Sequence, residues 1–292
     1  MKHAFMIESH TNWNQLKVLL SLLEDERSVI YVHVDRKASD FNSSFFDGAV
    51  TRGELHFVRR IPVTWGGSSQ IDAEMILLSE AIKSDAEYYH LISGFDLPLH
   101  GMDYFDAFFE EQRGKEFLHF TECGSTMKPR TLDRIDIYHP WQNKLGKHCR
   151  NVERMLYVTQ SALGVHRLRG SRLVFGKGAN WFSVTKDFAK YVCEVWPNYR
   201  TMFSSSFCAD EMFLHTILLN SPFAENLYDK YFDDDYGAVM RLIEWSDGDL
   251  KTLTMDDLPE LERSPMLFAR KFDERVDADV IQELAYRVQS ER

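Results

Sequence analysis

The chain has 292 residues, 44% hydrophobic and 27% charged, enough to bury a large core as one big domain or two small ones. Its formal net charge of −11 excludes a broad nucleic-acid footprint, because a polyanion needs a basic face. Aromatic residues make up 13% of the chain, and such rings line sugar- or ring-binding grooves as well as filling cores.

Residues 3–7 read as a short buried strand. Thr11 or Asn12 is placed to cap the helix that follows, over 13–23. Residues 29–34 form a second strand that ends at Asp35, and 55–58 a third. Residues 62–69 are a glycine-containing loop directly before a helix over 71–82. The apolar residues Ile71, Met75, Leu78 and Ile82 keep helical spacing there. Backbone N–H groups in that loop can approach a phosphate, although it has neither the G-K-[ST] ending nor a G-x-G-x-x-G pattern. Residues 88–93 are a fourth strand, with Asp96 just beyond. This β-α-β-loop-β-α-β order predicts an α/β fold with a mostly parallel central sheet flanked by helices. Such sheets bind ligands at the carboxyl ends of their strands.

Residues 121–172 are polar, basic and poorly periodic, apart from a helix over 152–163. Ten cations fall between Lys128 and Arg172, among them Arg134, Lys147, Arg150, Arg154 and Arg167. The segment reads as a solvated insertion; a face for an anionic acceptor or a membrane surface is the other reading. A strand over 179–184 and a helix over 187–196, stopped by Pro197, come next. A helix over 210–219 follows, with Asp210 and Glu211 in its first turn. A strand over 239–244 and an amphipathic helix over 277–289 close the chain. No repeat or low-complexity linker divides it. The expectation is a single domain over 1–292, with a nucleotide-binding half at 1–120 and an acceptor-binding, catalytic half at 121–292.

The four cysteines, Cys123, Cys149, Cys193 and Cys208, form no C-x-x-C pair, so zinc and thioredoxin-type chemistry lack support. The apolar run near the N-terminus is too short for a signal peptide, and no stretch reaches the length of a membrane span. The expected protein is reduced and cytoplasmic, soluble or peripheral at the inner face of a membrane.

Near the C-terminus, Arg270 and Lys271 sit between Phe268 and Phe272. Cations held against aromatic neighbours suit a phosphate, because a partly dry site strengthens the attraction. A solvated pair at a helix start is the plain alternative. Three further segments join this one: Val32-His33-Val34-Asp35, Ser93-Gly94-Phe95-Asp96-Leu97-Pro98-Leu99, and Ala209-Asp210-Glu211. With Thr64-Trp65-Gly66-Gly67, their order and spacing resemble the core-2/I-branching β-1,6-N-acetylglucosaminyltransferase family, which also includes protein xylosyltransferases.

The resemblance implies a glycosyltransferase-A-type fold, a UDP-sugar donor, inversion at the anomeric carbon, and neither cofactor nor metal. UDP-N-acetylglucosamine is the first expected donor, and UDP-xylose the rival. A bacterial surface or capsular polysaccharide is the expected acceptor. Inverting transfer needs a base that deprotonates the acceptor hydroxyl and positive charge for the departing diphosphate. The resemblance implies Glu211 as the base, Arg241 and Lys271 as the phosphate cations, and Asp35 as the contact to uridine. It aligns Ile7 beside uracil, Asp96 with the donor sugar, and Glu122 and Trp181 with the acceptor. Plain alternatives stand beside these: core packing for Ile7 and Trp181, a turn for Asp96, and helix stabilisation for Glu211. From a different class, the chain also suits a carbohydrate-binding protein that kept the fold and lost turnover. Asp233-Asp234-Asp235 reads as a solvated acidic turn rather than a metal motif, and no histidine has H-E-x-x-H spacing.

Overall fold

The computed structural model describes residues 1–291, without the side chains of Lys147, Cys149 and Arg150. The readings of those three lie outside the described residues. Strands β1 (His3–Ser9), β2 (Ser28–Val34), β3 (Glu54–Phe57) and β4 (Tyr88–Ser93) run parallel, side by side in the order β3-β2-β1-β4. Helices α1 (Trp13–Leu22) and α2 (Ser69–Ala81) make the crossovers. Alternation along β1 feeds both faces: Phe5 and Ile7 pack with Leu16, Leu19 and Leu20 of α1, while Ala4 and Met6 join Leu77 and Leu78 of α2. Strands buried on both faces read as continuous apolar runs, which is the reason they are legible.

Past β4, the chain makes β5 (Asp96–Pro98), α3 (Met102–Glu111), β6 (Phe117–Leu118) and β7 (Glu122–Cys123). Helices α4 (Pro129–Asp136), α5 (Gln142–Leu145) and α6 (Arg150–Ala162) occupy the basic segment. Strand β8 (Gly176–Lys177) pairs with β7. Strand β9 (Phe182–Thr185) runs antiparallel to β4, and β6 pairs antiparallel with β9, completing a six-stranded sheet. Then come α7 (Lys186–Phe203), α8 (Phe213–Leu219), β10 (Arg241–Ile243), β11 (Trp245–Ser246) and β12 (Asp249–Leu250). Helix α9 (Leu258–Leu261), β13 (Phe268–Arg270) and α10 (Asp279–Ser290) end the chain. A second sheet, β10-β13-β5, brings the C-terminal segment onto the end of the first half. The architecture is the predicted one: α/β, with a mostly parallel central sheet flanked by helices.

Several local expectations fail for physical reasons. Pro197 lies inside α7 instead of ending it. Proline removes one N–H bond and crowds the preceding turn, but Trp196 stacks on Phe203 at 6.4 Å and meets Phe213 edge-on at 5.6 Å. Packing therefore carries the helix across the break. Asn12 sits at the N-cap of α1 but makes no side-chain cap. Its backbone is left-handed, at φ 58°, and its amide donates to Asp273 Oδ1 at 2.9 Å. The predicted strand over 239–244 shortens to three residues, behind a 3-10 turn at Tyr236–Val239. The basic segment is not simply solvated. Arg167 donates to the carbonyls of Thr201, Met202 and Ser204, and Arg134 turns toward Glu211. Among the described residues, no helix is long and apolar enough to cross a membrane.

Candidate active site

A cavity of about 720 Å³ opens at the carboxyl ends of β1, β2 and β4, a size suited to a small-molecule ligand. Gln15 in α1 fixes two of its walls relative to each other. Its buried amide donates to the carbonyls of Gly94 at 2.9 Å and Phe272 at 3.0 Å. The end of β4 and the segment after β13 are thereby clamped to α1.

Asp35 lines the cavity where β2 ends. Its Oδ1 accepts backbone N–H bonds from Lys37 at 2.9 Å and Val63 at 3.2 Å. Lys271 also lines the cavity, and among the described residues its ammonium has no hydrogen-bond or ion-pair partner. Arg270 lies beside it, with its guanidinium 4.0 Å from the centre of the Trp181 ring, a cation–π distance. Trp181 lines the cavity too. In this arrangement it is a backing plate for Arg270.

Glu211 is a third exposed at its side chain. Arg134 donates to its Oε2 at 2.6 Å, and the Lys177 ammonium lies 3.4 Å from the same oxygen. The backbone around it departs from the expected helix. Ala209–Glu211 form a 3-10 turn, Met212 breaks the path at φ −131°, and α8 starts only at Phe213. Glu211 therefore does not occupy the first turn of an α-helix. Two cations, not a helix terminus, address its carboxylate.

Four predicted site residues stand outside the cavity. Ile7 is fully buried in the sheet core, and its neighbours Glu8 and Ser9 reach the cavity instead. Arg241 is 2% exposed. It donates to the Val239 carbonyl at 2.7 Å and to Ser183 Oγ at 3.2 Å, with its guanidinium over the Phe268 ring. Burial pushes Arg241 down to about 9, against the opposing pull of Asp96. Arg270, not Arg241, presents the guanidinium to the cavity. Asp96 is buried as well. It accepts the Ser93 N–H at 2.7 Å and lies 3.5 Å from Arg270 Nε, so it closes the turn and backs Arg270. Glu122 is engaged by Lys128, through its backbone N–H at 2.9 Å and its ammonium at 3.3 Å. Burial pushes Glu122 upward, and these bonds bring its net pKa below the usual value.

Several amides of the loop before α2 are already engaged within the protein. The N–H of Thr64 goes to Ser69 Oγ, that of Gly66 to Gln70 Oε1 and that of Ser69 to Asn143 Oδ1. The loop contributes Trp65, which is 52% exposed, at the cavity. Trp245, 58% exposed, also lines it. Asp234 lies 3.0 Å from His119 Nε2. Among the described residues, no three or more His, Cys, Asp or Glu side chains are placed to hold a metal ion.

Sequence reasoning missed a buried acid cluster beside Glu211. Asp210 is pushed up to about 7 by burial and then by the Glu211 charge, and Gln70 donates to its Oδ2 at 2.9 Å. Glu8 is pushed up to about 8 by burial and then by Asp210. Glu74 of α2 has both carboxylate oxygens buried without a hydrogen-bond partner. Burial drives its pKa upward, with Glu8 and Asp210 adding to the push. The folded chain holds protons here that the unfolded chain releases near pH ~4, so stability falls as pH rises from there to about 8. Glu74→Met is expected to stabilise the fold by ~2 kcal/mol at about pH 8, because it replaces a buried carboxyl without a hydrogen-bond partner, which the fold must keep protonated, with an apolar side chain of similar volume. The gain should shrink at about pH 5, where the unfolded chain's carboxyl nears its own pKa and keeping the proton in the fold costs less. Thermal melts at the two pH values check this, and equal gains would count against it.

Residues 3–258 match the Core-2/I-Branching enzyme family. Xylosyltransferase 2 of Rattus norvegicus is 24% identical to this chain, over 98% of it and 33% of that protein. Xylosyltransferase 1 of Canis lupus familiaris is 22% identical, over 97% and 30% respectively. The chain spans about one third of the length of the curated relatives it matches. Among solved structures, apo mouse xyloside xylosyltransferase 1 is similar at 9% identity and a TM-score of 0.32, over 76% of this chain and 82% of that one. The TarS structure from S. aureus is similar at 13% identity and a TM-score of 0.30, over 44% and 23%. With the family match running from β1 past β12, the chain belongs to the Core-2/I-Branching enzyme family.

Proposed function

We propose that this chain is an inverting glycosyltransferase that moves a sugar from a UDP-sugar to a carbohydrate hydroxyl, without a metal ion. One observation carries the reading: an accessible carboxylate, Glu211, shares a single cavity with two cations, Arg270 and Lys271, delivered by a distant segment. Uridine sits at the strand ends beside Asp35, and the diphosphate lies against Lys271 and Arg270. Arg134 and Lys177 hold Glu211 Oε2, which leaves Oε1 to take the proton of the acceptor hydroxyl. The acceptor oxygen then bonds to the anomeric carbon as the bond to UDP breaks. The cations offset the charge that grows on the leaving diphosphate, as a bound divalent ion does elsewhere. Trp65 and Trp245 offer exposed ring faces for sugars.

N-acetylglucosamine is the first donor sugar to test. The xylosyltransferase names of the relatives favour xylose as the second. Four cysteines in 292 residues fit a compartment that keeps thiols reduced. That supports a bacterial surface polysaccharide, assembled on the cytoplasmic side, as the acceptor. Release of UDP from a panel of UDP-sugars, with and without EDTA, tests the reading. Transfer that survives EDTA is expected. Transfer that requires manganese would overturn the metal-free part, and glycan binding with every donor inert would favour a non-catalytic binding protein.

Lys271→Ala separates ligand binding from folding. Its ammonium has no ion pair to lose among the described residues, so the melting temperature should hold. UDP affinity should fall by ~1–3 kcal/mol, the scale of a charge-assisted hydrogen bond. Calorimetric titration with UDP measures it.

A further inference from the structure

A second cavity, of about 490 Å³, adjoins the first, and Trp65 lines both. Its wall comes from separate stretches of the chain: Trp65 before α2, Phe207 after α7, and Tyr157 on α6. Trp65 meets Phe207 edge-on at 5.8 Å, and the His139 ring lies tilted against Phe207 at 5.9 Å. The polar groups of this wall are largely matched to one another or to the protein behind them. His139 Nδ1 lies 2.9 Å from Glu153 Oε2. The Tyr157 hydroxyl donates to Asp133 at 2.8 Å, and the Gln142 amide donates to the Trp65 carbonyl at 2.8 Å. The exposed Arg154 adds one charge. What remains for a ligand is mostly ring and aliphatic surface, which a bare sugar cannot satisfy and an apolar group can. The first cavity offers the opposite chemistry, carboxylates and cations.

We propose that the second cavity is a subsite for an apolar group carried by the acceptor, a lipid chain or a small aromatic aglycone. The shared indole of Trp65 makes the geometry specific. A group seated against Tyr157 and Phe207 is attached to a sugar that lies on the other side of Trp65, where Glu211 and Lys271 face the cavity. The role as an acceptor subsite rests on the glycosyl-transfer reading; the preference for an apolar ligand does not. The two are therefore tested apart.

The test is a calorimetric titration of the whole chain, without donor, using methyl, benzyl and octyl β-glycosides of N-acetylglucosamine below their micelle concentrations. The benzyl or octyl compound should bind at least about tenfold more tightly than the methyl compound, the effect of burying a few carbons. A preference for octyl marks a lipid chain, and a preference for benzyl an aromatic aglycone. Tyr157→Ala should remove the gap, while Tyr157→Phe, which keeps the ring and loses only the hydroxyl's bonds to Asp133 and Ser161, should keep it. Equal affinities for all three glycosides would overturn the proposal, as would a gap that survives Tyr157→Ala. Because no turnover is needed, a chain inert toward every donor that still shows the gap would defeat the glycosyl-transfer reading alone.

Discussion

Glu211→Gln is expected to lower the rate of sugar transfer by roughly 10²–10⁴-fold, the usual contribution of a positioned general base, while UDP affinity stays near that of the parent. The amide keeps the volume of the carboxylate and an oxygen that Arg134 can still address, so the cavity should hold its shape. It cannot accept the acceptor's proton. Asp210 is the rival next door. It lines the same cavity, and its Oδ1 is buried without a hydrogen-bond partner. Its pKa, pushed up to about 7, suits a base near neutrality. Access separates the two: Asp210 is 7% exposed, whereas the Glu211 side chain is 35% exposed. If Asp210 were the base, Glu211→Gln would retain most of its activity and Asp210→Asn would lose it. Single-turnover UDP release, measured beside UDP titration, distinguishes these outcomes.

The first half of the fold was legible because β1, β2 and β4 are apolar runs long enough to show a pattern, and strand ends point to the ligand side of such a sheet. Asp35 was found that way. The second sheet was not legible. Strands β5, β10 and β13 have three residues each, shorter than any periodicity, and the pairing of Asp96 with Arg270 spans most of the chain. The family resemblance pointed to segments that line or adjoin the cavity without fixing which side chain faces it. It aligned Ile7 where Glu8 and Ser9 line the cavity, and Arg241 where Arg270 does. One step along a strand reverses the face, which separates Glu8 from Ile7, whereas Arg270 comes from β13, the strand beside the β10 that carries Arg241. The inward turn of Arg134 had no periodic signal, because it sits on the short helix α4 in an irregular segment. Glu74 did carry a signal: it lies three residues after Ile71 and one before Met75, on the buried stripe of α2.

Arg270→Ala is expected to cost ~3–5 kcal/mol of stability, the usual result of removing one partner from a buried ion pair, and to weaken UDP binding as well. Asp96 would keep its Ser93 N–H bond and lose its nearest counter-charge. Burial already raises the Asp96 pKa, and Arg270 is the first influence holding it back. Without that guanidinium the pKa should climb further. The folded variant then takes up a proton that the unfolded chain releases near pH ~4, so its deficit should be largest at about pH 8 and shrink as the pH falls toward 5. Urea unfolding at the two pH values checks the sign. The double variant Arg270→Ala/Asp96→Asn separates the residue's two roles. Removing the orphaned charge should restore part of the stability, because the two side chains are coupled neighbours. It supplies no cation for the diphosphate, so UDP affinity should stay low. If affinity returned together with stability, Arg270 would serve the fold alone and Lys271 would be left as the only one of the pair to meet the leaving group.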